Sequence, residues 1–115
     1  MSRQSIPLLT LTLALSGAVA AHRFVTVAGA QAGANANTLG VATMAGVSGD
    51  KIPVDVIGTT IVEAGAAITA GATLETDADG KAITWDTAGG KVGVALQAAG
   101  AAGEFIEVLL LPNVA

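Results

Sequence analysis

The side chains that could take part in catalysis or metal binding are few and scattered. His22 is the only histidine and the chain has no cysteine, so one chain supplies neither an imidazole pair nor a thiolate cluster. Glu104 and Glu107 could be considered as an acid and base pair, but three positions apart in a strand they point to opposite faces. We expect His22 at the surface or an interface, and the two glutamates at a solvated edge or between subunits.

Two loops look at first like ligand-binding motifs. Asp77-x-Asp79-Gly80 matches the start of a calcium loop, yet Lys81 stands where a third oxygen ligand belongs and Ala88 where the bidentate glutamate belongs. Gly89-Gly90-Lys91 lacks the full spacing of a phosphate-binding loop. Both segments therefore predict turns, and we expect no metal, no cofactor and no enzymatic activity.

Two parts of the chain carry the same succession of residues. Gly40-Val41-Ala42 followed by residues 49–54 returns as Gly93-Val94-Ala95 followed by residues 103–108, and each second piece reads Gly-acid-x-Ile-x-Val. The match extends upstream, where residues 19–27 align with residues 68–76. This pattern predicts an internal repeat, approximately residues 19–54 and 68–108, and therefore two related β units within one domain.

Short alternating segments between turn signals predict an all-β fold, a small barrel or sandwich. Pro53 favours an edge or bulge position because it donates no ladder hydrogen bond. Two alanine-rich segments, residues 63–70 and 97–102, predict short helical turns. The predicted strands cover residues 9–15, 24–27, 40–43, 52–57, 60–62, 72–76, 82–85, 91–96 and 105–111.

The composition predicts a thin hydrophobic core. The chain is 52% hydrophobic but only 3% aromatic, and it contains 25 alanines and 15 glycines. Small side chains bury little surface, whereas each large apolar side chain contributes about 1.5–3 kcal/mol. With 12% charged residues, some apolar surface is expected to be covered by other subunits. Trp85, the single tryptophan, is predicted as either a core residue or an interface anchor.

The charge and the apolar runs exclude two classes of partner. A net charge of −4 with five basic residues argues against a nucleic-acid binder, which needs clustered lysine and arginine. No apolar run reaches the roughly 20 residues of a membrane-spanning helix. We therefore expect neither nucleic acid nor membrane as a partner.

The N-terminus allows two interpretations. Arg3, the apolar run 6–15 and the small residues 18–21 resemble a secretory signal with its cleavage site. Against this, residues 9–15 alternate strictly between leucine and a small or hydroxyl residue, which predicts a first strand of the mature protein. Cleavage of residues 1–20 would instead indicate an exported, adhesin-like β domain that is secreted or held at the cell surface.

The order of these phrases resembles one known family, the small capsid decoration or cement proteins of phages, and the resemblance covers almost the whole chain. The phrases that carry it are residues 9–19, 23–25, 39–42, 58–65, 71–81, 91–95 and 103–112. The resemblance implies a structural virion protein on the capsid exterior, where it binds the major capsid protein and stabilises contacts between its subunits. It also implies a β-rich homo-oligomer, most often a trimer.

We expect residues 1–7 to form an N-terminal arm and residues 8–115 a single β domain. Arg3 and Gln4 are polar and Pro7 stops a helix, so this segment is predicted to extend onto the capsid or a neighbouring subunit. The candidate interface residues are Ser2, Arg3, Gln4, Ile6 and Trp85.

Overall fold

The alternating segments form strands in an antiparallel, nearly closed, barrel-shaped sheet. The computed structural model describes residues 5–86 and 89–114. Within these residues the strands are β1 (Ile6–Ala14), β2 (Phe24–Val25), β3 (Gly40–Ala42), β4 (Lys51–Glu63), β5 (Thr73–Thr76), β6 (Ala82–Thr84), β7 (Lys91–Ala95) and β8 (Phe105–Val114). The predicted all-β fold is confirmed.

The strands follow the order β2-β3-β4-β8-β7-β5-β6, and β1 also pairs with β4. The two ends of this order approach each other, because the backbone N–H of Phe24 in β2 donates to the carbonyl of Gly80 in the β5–β6 turn at 2.8 Å. The sheet therefore curves until its edges nearly meet.

The long strand β4 replaces two predicted strands, residues 52–57 and 60–62. The prediction of a break was wrong because Gly58, at φ 108°, is accommodated within the strand opposite Pro7 of β1. The first part of β4 pairs with β1 and β3, and its last part pairs with β8. β4 thus connects the two halves of the sheet.

Pro53 lies inside the sheet, so its prediction as an edge residue was wrong. It is opposite Thr12 of β1, and its carbonyl accepts the backbone N–H of Thr43, just beyond β3, at 3.2 Å. The register of β1 and β4 shifts near Leu9 instead of near Pro53, which also excludes the bulge interpretation there. The sheet tolerates this proline because its carbonyl still takes part in pairing.

The predicted helical turns are absent from residues 5–86 and 89–114, none of which is helical. The two alanine-rich segments pair with each other instead: Ile68 and Ala99 exchange backbone hydrogen bonds of 2.9 Å in each direction. This extended pairing satisfies backbone groups that a short glycine-interrupted helix would leave open. None of the described residues belongs to a helix long and apolar enough to cross a membrane.

Two hydrophobic clusters fill the interior of the described chain. The larger cluster consists of Phe24, Ala32, Val41, Val62, Ala64, Ile68, Leu74, Ala82, Val92, Ala95, Ala99, Ile106, Val108 and Leu110. The smaller cluster consists of Leu15, Val19, Val25, Ala42, Ile52 and Val54, with the partly buried Leu13, Leu39 and Val56 packed against it. Alanine and valine make up much of both clusters, in line with the thin core that the composition predicts.

Candidate docking surface

An apolar band crosses the outer face of β1, β4 and β8. We give this name to Ile6, Leu8, Leu9, Ile57 and Leu109, whose exposed fractions run from 39% to 76%. Leu9 is paired with Ile57, and Thr59 lies between Ile6 of β1 and Leu109 of β8. Cross-strand partners present their side chains to the same face of a sheet, so these residues form neighbours on one surface.

Two register shifts in β1 produce the outward position of these leucines. Leu8 has no partner between the pairs Pro7–Gly58 and Leu9–Ile57, and it is the most exposed residue of the band at 76%. The second shift follows Leu9 and restores the original register. A bulge of this kind re-aims side chains, and here Leu8 and Leu9 lie between the two register shifts and are both exposed.

Gly58 makes this bulge possible. A Cβ on Gly58 would lie 2.7 Å from the backbone nitrogen of Leu8, and its φ of 108° is a conformation that other residues rarely adopt. Close approach of the two backbones at this point therefore depends on glycine.

Asp55 fixes β1 from beneath the band. Its buried carboxylate accepts hydrogen bonds from the hydroxyls of Thr60 at 2.8 Å and Thr10 at 3.0 Å. The hydroxyl of Ser5 donates a longer bond, 3.4 Å, to the same carboxylate. A buried carboxylate with several donors is a rigid anchor, so the start of β1 is held in one position on β4.

Four of the five predicted interface residues come from the N-terminus. Ser2, Arg3 and Gln4 lie outside the described residues. Ile6 is in the apolar band, and β1 begins there, so Ile6 and Pro7 are strand residues and not part of an arm as predicted. The strand boundary was missed because Pro7 was expected to precede the sheet, whereas it pairs with Gly58.

Trp85, the fifth predicted residue, lies just after β6, which ends one residue earlier than expected. Its side chain is half-buried and belongs to neither cluster. The indole N–H donates to the carbonyl of Gly89 at 3.3 Å, and the Lys91 ammonium lies 4.5 Å from the ring centroid. β6 pairs with β5, so no strand pairing joins Trp85 to the apolar band.

The polar residues considered for chemistry are used structurally. The Asp77 carboxylate accepts the backbone N–H groups of Asp79 and Lys81 at 2.8 and 2.9 Å, which confirms a turn. Glu104 is exposed as predicted, but Glu107 is 4% exposed, so its prediction at a solvated edge was wrong. The described part of the chain holds no group of three or more potential metal ligands.

His22 is half-buried in a left-handed backbone conformation, at φ 63°. Its ring contacts Phe105 edge to face, with centroids 5.4 Å apart. His22 and Arg23 both contact Glu63 of β4. The His22 carbonyl accepts the N–H of Glu63 at 2.9 Å, and the Arg23 guanidinium pairs with the Glu63 carboxylate at 3.2 Å. These contacts join the first half of the chain to the second.

The band is thus an exposed apolar surface of the kind that interaction sites have. Its chief residues, Leu8, Leu9, Ile57 and Leu109, were not predicted from the sequence. Strict alternation assigned Leu9 to the same face as Leu13, and only the register shift against β4 separates the two. Gly58, between the predicted strands 52–57 and 60–62, was a sequence signal of a bulge that was interpreted as a break.

Residues 3–110 match the sequence profile of the family described as phage cement protein. The chain belongs to the phage cement protein family. A solved structure with the same fold is the head fiber gp8.5 N base of bacteriophage phi29, with a TM-score of 0.73 and 22% sequence identity; the alignment covers 93% of this chain and 97% of that one. No curated protein matches the chain significantly.

Family membership bears on the leader-like N-terminus and on the function. The matched range includes most of the segment that resembles a secretory signal, and residues 6–14 of that segment form β1. The family is one of structural proteins associated with the phage capsid, which implies a non-enzymatic role. The predicted resemblance is therefore confirmed.

Proposed function

We propose that this protein binds the outer surface of an assembled phage capsid through its apolar band and stabilises contacts between major capsid subunits. The observation that carries the proposal is the exposed apolar band itself, Ile6, Leu8, Leu9, Ile57 and Leu109, in a member of a cement family. Contiguous exposed aliphatic side chains are characteristic of interaction surfaces. The anchor at Asp55 supports the proposal, since a pre-ordered surface loses little entropy on binding.

The mechanism is stabilisation by mass action. A ligand that binds only the assembled shell stabilises it by RT ln(1 + [L]/Kd), about 2.7 kcal/mol for each site at a hundred times Kd. A homo-oligomer, a trimer in this proposal, would engage several capsid subunits at once and raise the effective concentration of each contact. Residues Ser2, Arg3, Gln4 and Trp85 are additional candidate contacts with the capsid or a neighbouring subunit.

The test is binding of purified protein to capsids that lack it. We expect the double substitution Leu8→Glu and Ile57→Glu to lower capsid occupancy at least about tenfold, because each carboxylate would have to be desolvated in an apolar contact. Both side chains are exposed, so the fold should be preserved. Occupancy is measured by sedimentation of the capsids followed by quantification of the bound protein, and shell stability by thermal release of DNA.

Val47→Glu is the matched control, since Val47 is 59% exposed and lies outside the band. It should bind like the wild type. Equal occupancy by the Leu8→Glu, Ile57→Glu protein and the control would refute the band as the docking surface. Deletion of residues 2–4 tests the arm separately, and unchanged occupancy would remove those residues from the interface.

A further inference from the structure

The smaller cluster corresponds, residue by residue, to part of the larger one. Each of its six members, and each of the three partly buried residues packed against it, corresponds in the repeat to a member of the larger cluster in the second half. The pairs are Leu13 and Val62, Leu15 and Ala64, Val19 and Ile68, Val25 and Leu74, Leu39 and Val92, Ala42 and Ala95, Ile52 and Ile106, Val54 and Val108, and Val56 and Leu110.

The backbone hydrogen bonds show the same correspondence. The N–H of Leu15 donates to the Asp50 carbonyl at 2.8 Å, and the N–H of Ala64 donates to the Glu104 carbonyl at 2.8 Å. The mutual pair of Val19 with Gly46 has its counterpart in Ile68 with Ala99, and β2 with β3 corresponds to β5 with β7. The two halves of the chain therefore fold alike, with β4 ending the first and beginning the second.

The two clusters differ in how completely they are covered. Val62, Val92 and Leu110 are buried, whereas their counterparts Leu13, Leu39 and Val56 are only partly buried. The larger cluster is closed by three residues from the first half, Phe24, Ala32 and Val41, which we call the inserting face. Nothing among the described residues plays this part for the smaller cluster.

Backbone contacts fix the inserting face in place. The Phe24 N–H donates to the Gly80 carbonyl, and the His22 carbonyl accepts the N–H of Glu63. The counterparts of the inserting face in the second half are Thr73, Trp85 and Val94, and all three side chains are partly exposed. Trp85 takes the place of Ala32 because its N–H donates to the Thr73 carbonyl at 2.8 Å, as the Ala32 N–H donates to the Phe24 carbonyl at 2.9 Å. The chain thus carries one used and one unused copy of the inserting face.

We propose that the unused inserting face of one chain, Thr73, Trp85 and Val94, docks on the open smaller cluster of a second copy of this chain. The occupant is a second copy because the contact repeats, between chains, the interface that already joins the two halves within a chain. Ala14 takes the place of Glu63 at this interface, so its N–H is the donor for the Gly71 carbonyl of the neighbouring copy. The proposal identifies the contact behind the homo-oligomer of the proposed function, on which it rests, and it requires no capsid.

This contact is heterologous, since each chain offers one face and accepts at a different one. Repetition of such a contact closes into a ring when the rotation allows it. It differs from a two-fold contact in a testable way, because the two faces can be blocked independently.

The experiment uses two variants that are purified separately. Val94→Glu places a charge on the inserting face, and Ala14→Arg places a long side chain at the edge of the open cluster. We expect the wild type to be oligomeric and each variant to be monomeric by light scattering at the same concentration. A mixture of the two variants retains one intact pair of faces, so it should form a one-to-one heterodimer and nothing larger.

Val47→Glu should keep the wild-type mass, and circular dichroism melting checks that every variant folds. Leu39→Glu replaces Ala14→Arg if the latter does not fold. A monomeric wild type, a Val94→Glu protein of wild-type mass, or a mixture without heterodimer would each overturn the proposal. The Leu8→Glu, Ile57→Glu protein should keep the wild-type mass while it loses capsid binding, so failure of one proposal is distinguishable from failure of the other.

Discussion

Some polar residues of this protein are buried, and burial of Glu75 changes the pKa of its carboxyl group. Its side chain is 1% exposed, and Oε1 has no hydrogen-bond partner within the described part of the chain. Burial raises the pKa of the Glu75 carboxyl above its ordinary value of 4.5, and the nearby Asp86 side chain raises that pKa further. The folded state therefore binds a proton at Glu75 more tightly than the unfolded chain does.

The sign of the pH effect follows from linkage. A group whose pKa is raised by folding contributes its full stability below pH 4.5, and that contribution is lost as the pH rises through the folded pKa. Glu75→Gln imitates the protonated side chain, so the variant should gain stability relative to the wild type on going from pH 4.5 to pH 7. Urea unfolding at several pH values measures this difference.

Asp79→Asn is the control for this series, because Asp79 is exposed and this substitution also removes one carboxylate charge. The change in the stability of the Glu75→Gln protein between the two pH values is compared with the change in this variant. A Glu75→Gln protein that loses stability relative to the wild type as the pH rises would contradict the assignment of a raised pKa.

At the scale of elements, the glycine of the repeated Gly-Val-Ala segment lies where the backbones of two paired strands come unusually close. A Cβ on Gly93 of β7 would lie 2.6 Å from the carbonyl oxygen of Leu109 in β8, and Gly40 of β3 meets the Asp55 carbonyl of β4 in the same way. We expect Gly93→Ala to lower the free energy of unfolding by about 1–3 kcal/mol, because the backbones would have to separate. Thermal or urea unfolding provides the measurement.

Gly33→Ala is the matched substitution for that experiment, since a Cβ on Gly33 would have no atom within 4 Å. Its effect should remain within about 0.5 kcal/mol. Similar losses of unfolding free energy in the two variants would show that the close approach of β7 and β8 does not explain the glycine at position 93.

Elements with a local signal were predictable, and elements defined by a distant partner were not. β3 and β7 begin near their predicted positions because the glycine and the alternation that define them are local. β2 stops two residues early, since the Thr26 N–H turns back to the Ala30 carbonyl. The apolar band was missed because it depends on the register of β1 against β4, which is a tertiary property.

At the scale of the whole molecule, the two halves make corresponding backbone hydrogen bonds, but the larger hydrophobic cluster is more completely covered than the smaller one. The exchange rates of matched amides therefore report on closure alone. Val19 and Gly46 bond each other across the smaller cluster at 2.9 and 3.0 Å, as Ile68 and Ala99 do across the larger one at 2.9 Å in both directions. Local opening costs less where fewer apolar side chains are packed, so the first pair should open more readily.

In the monomeric Ala14→Arg protein, we expect the amides of Val19 and Gly46 to exchange on the order of tenfold faster than those of Ile68 and Ala99, corresponding to about 1.4 kcal/mol in local opening. If the wild type assembles as proposed, a neighbouring chain closes the smaller cluster, and the exchange rates of the two pairs should become similar. Hydrogen exchange followed by NMR or mass spectrometry resolves both pairs in one sample. Equal rates in the monomer would mean that the smaller cluster is already complete, and a second chain would then have nothing to close.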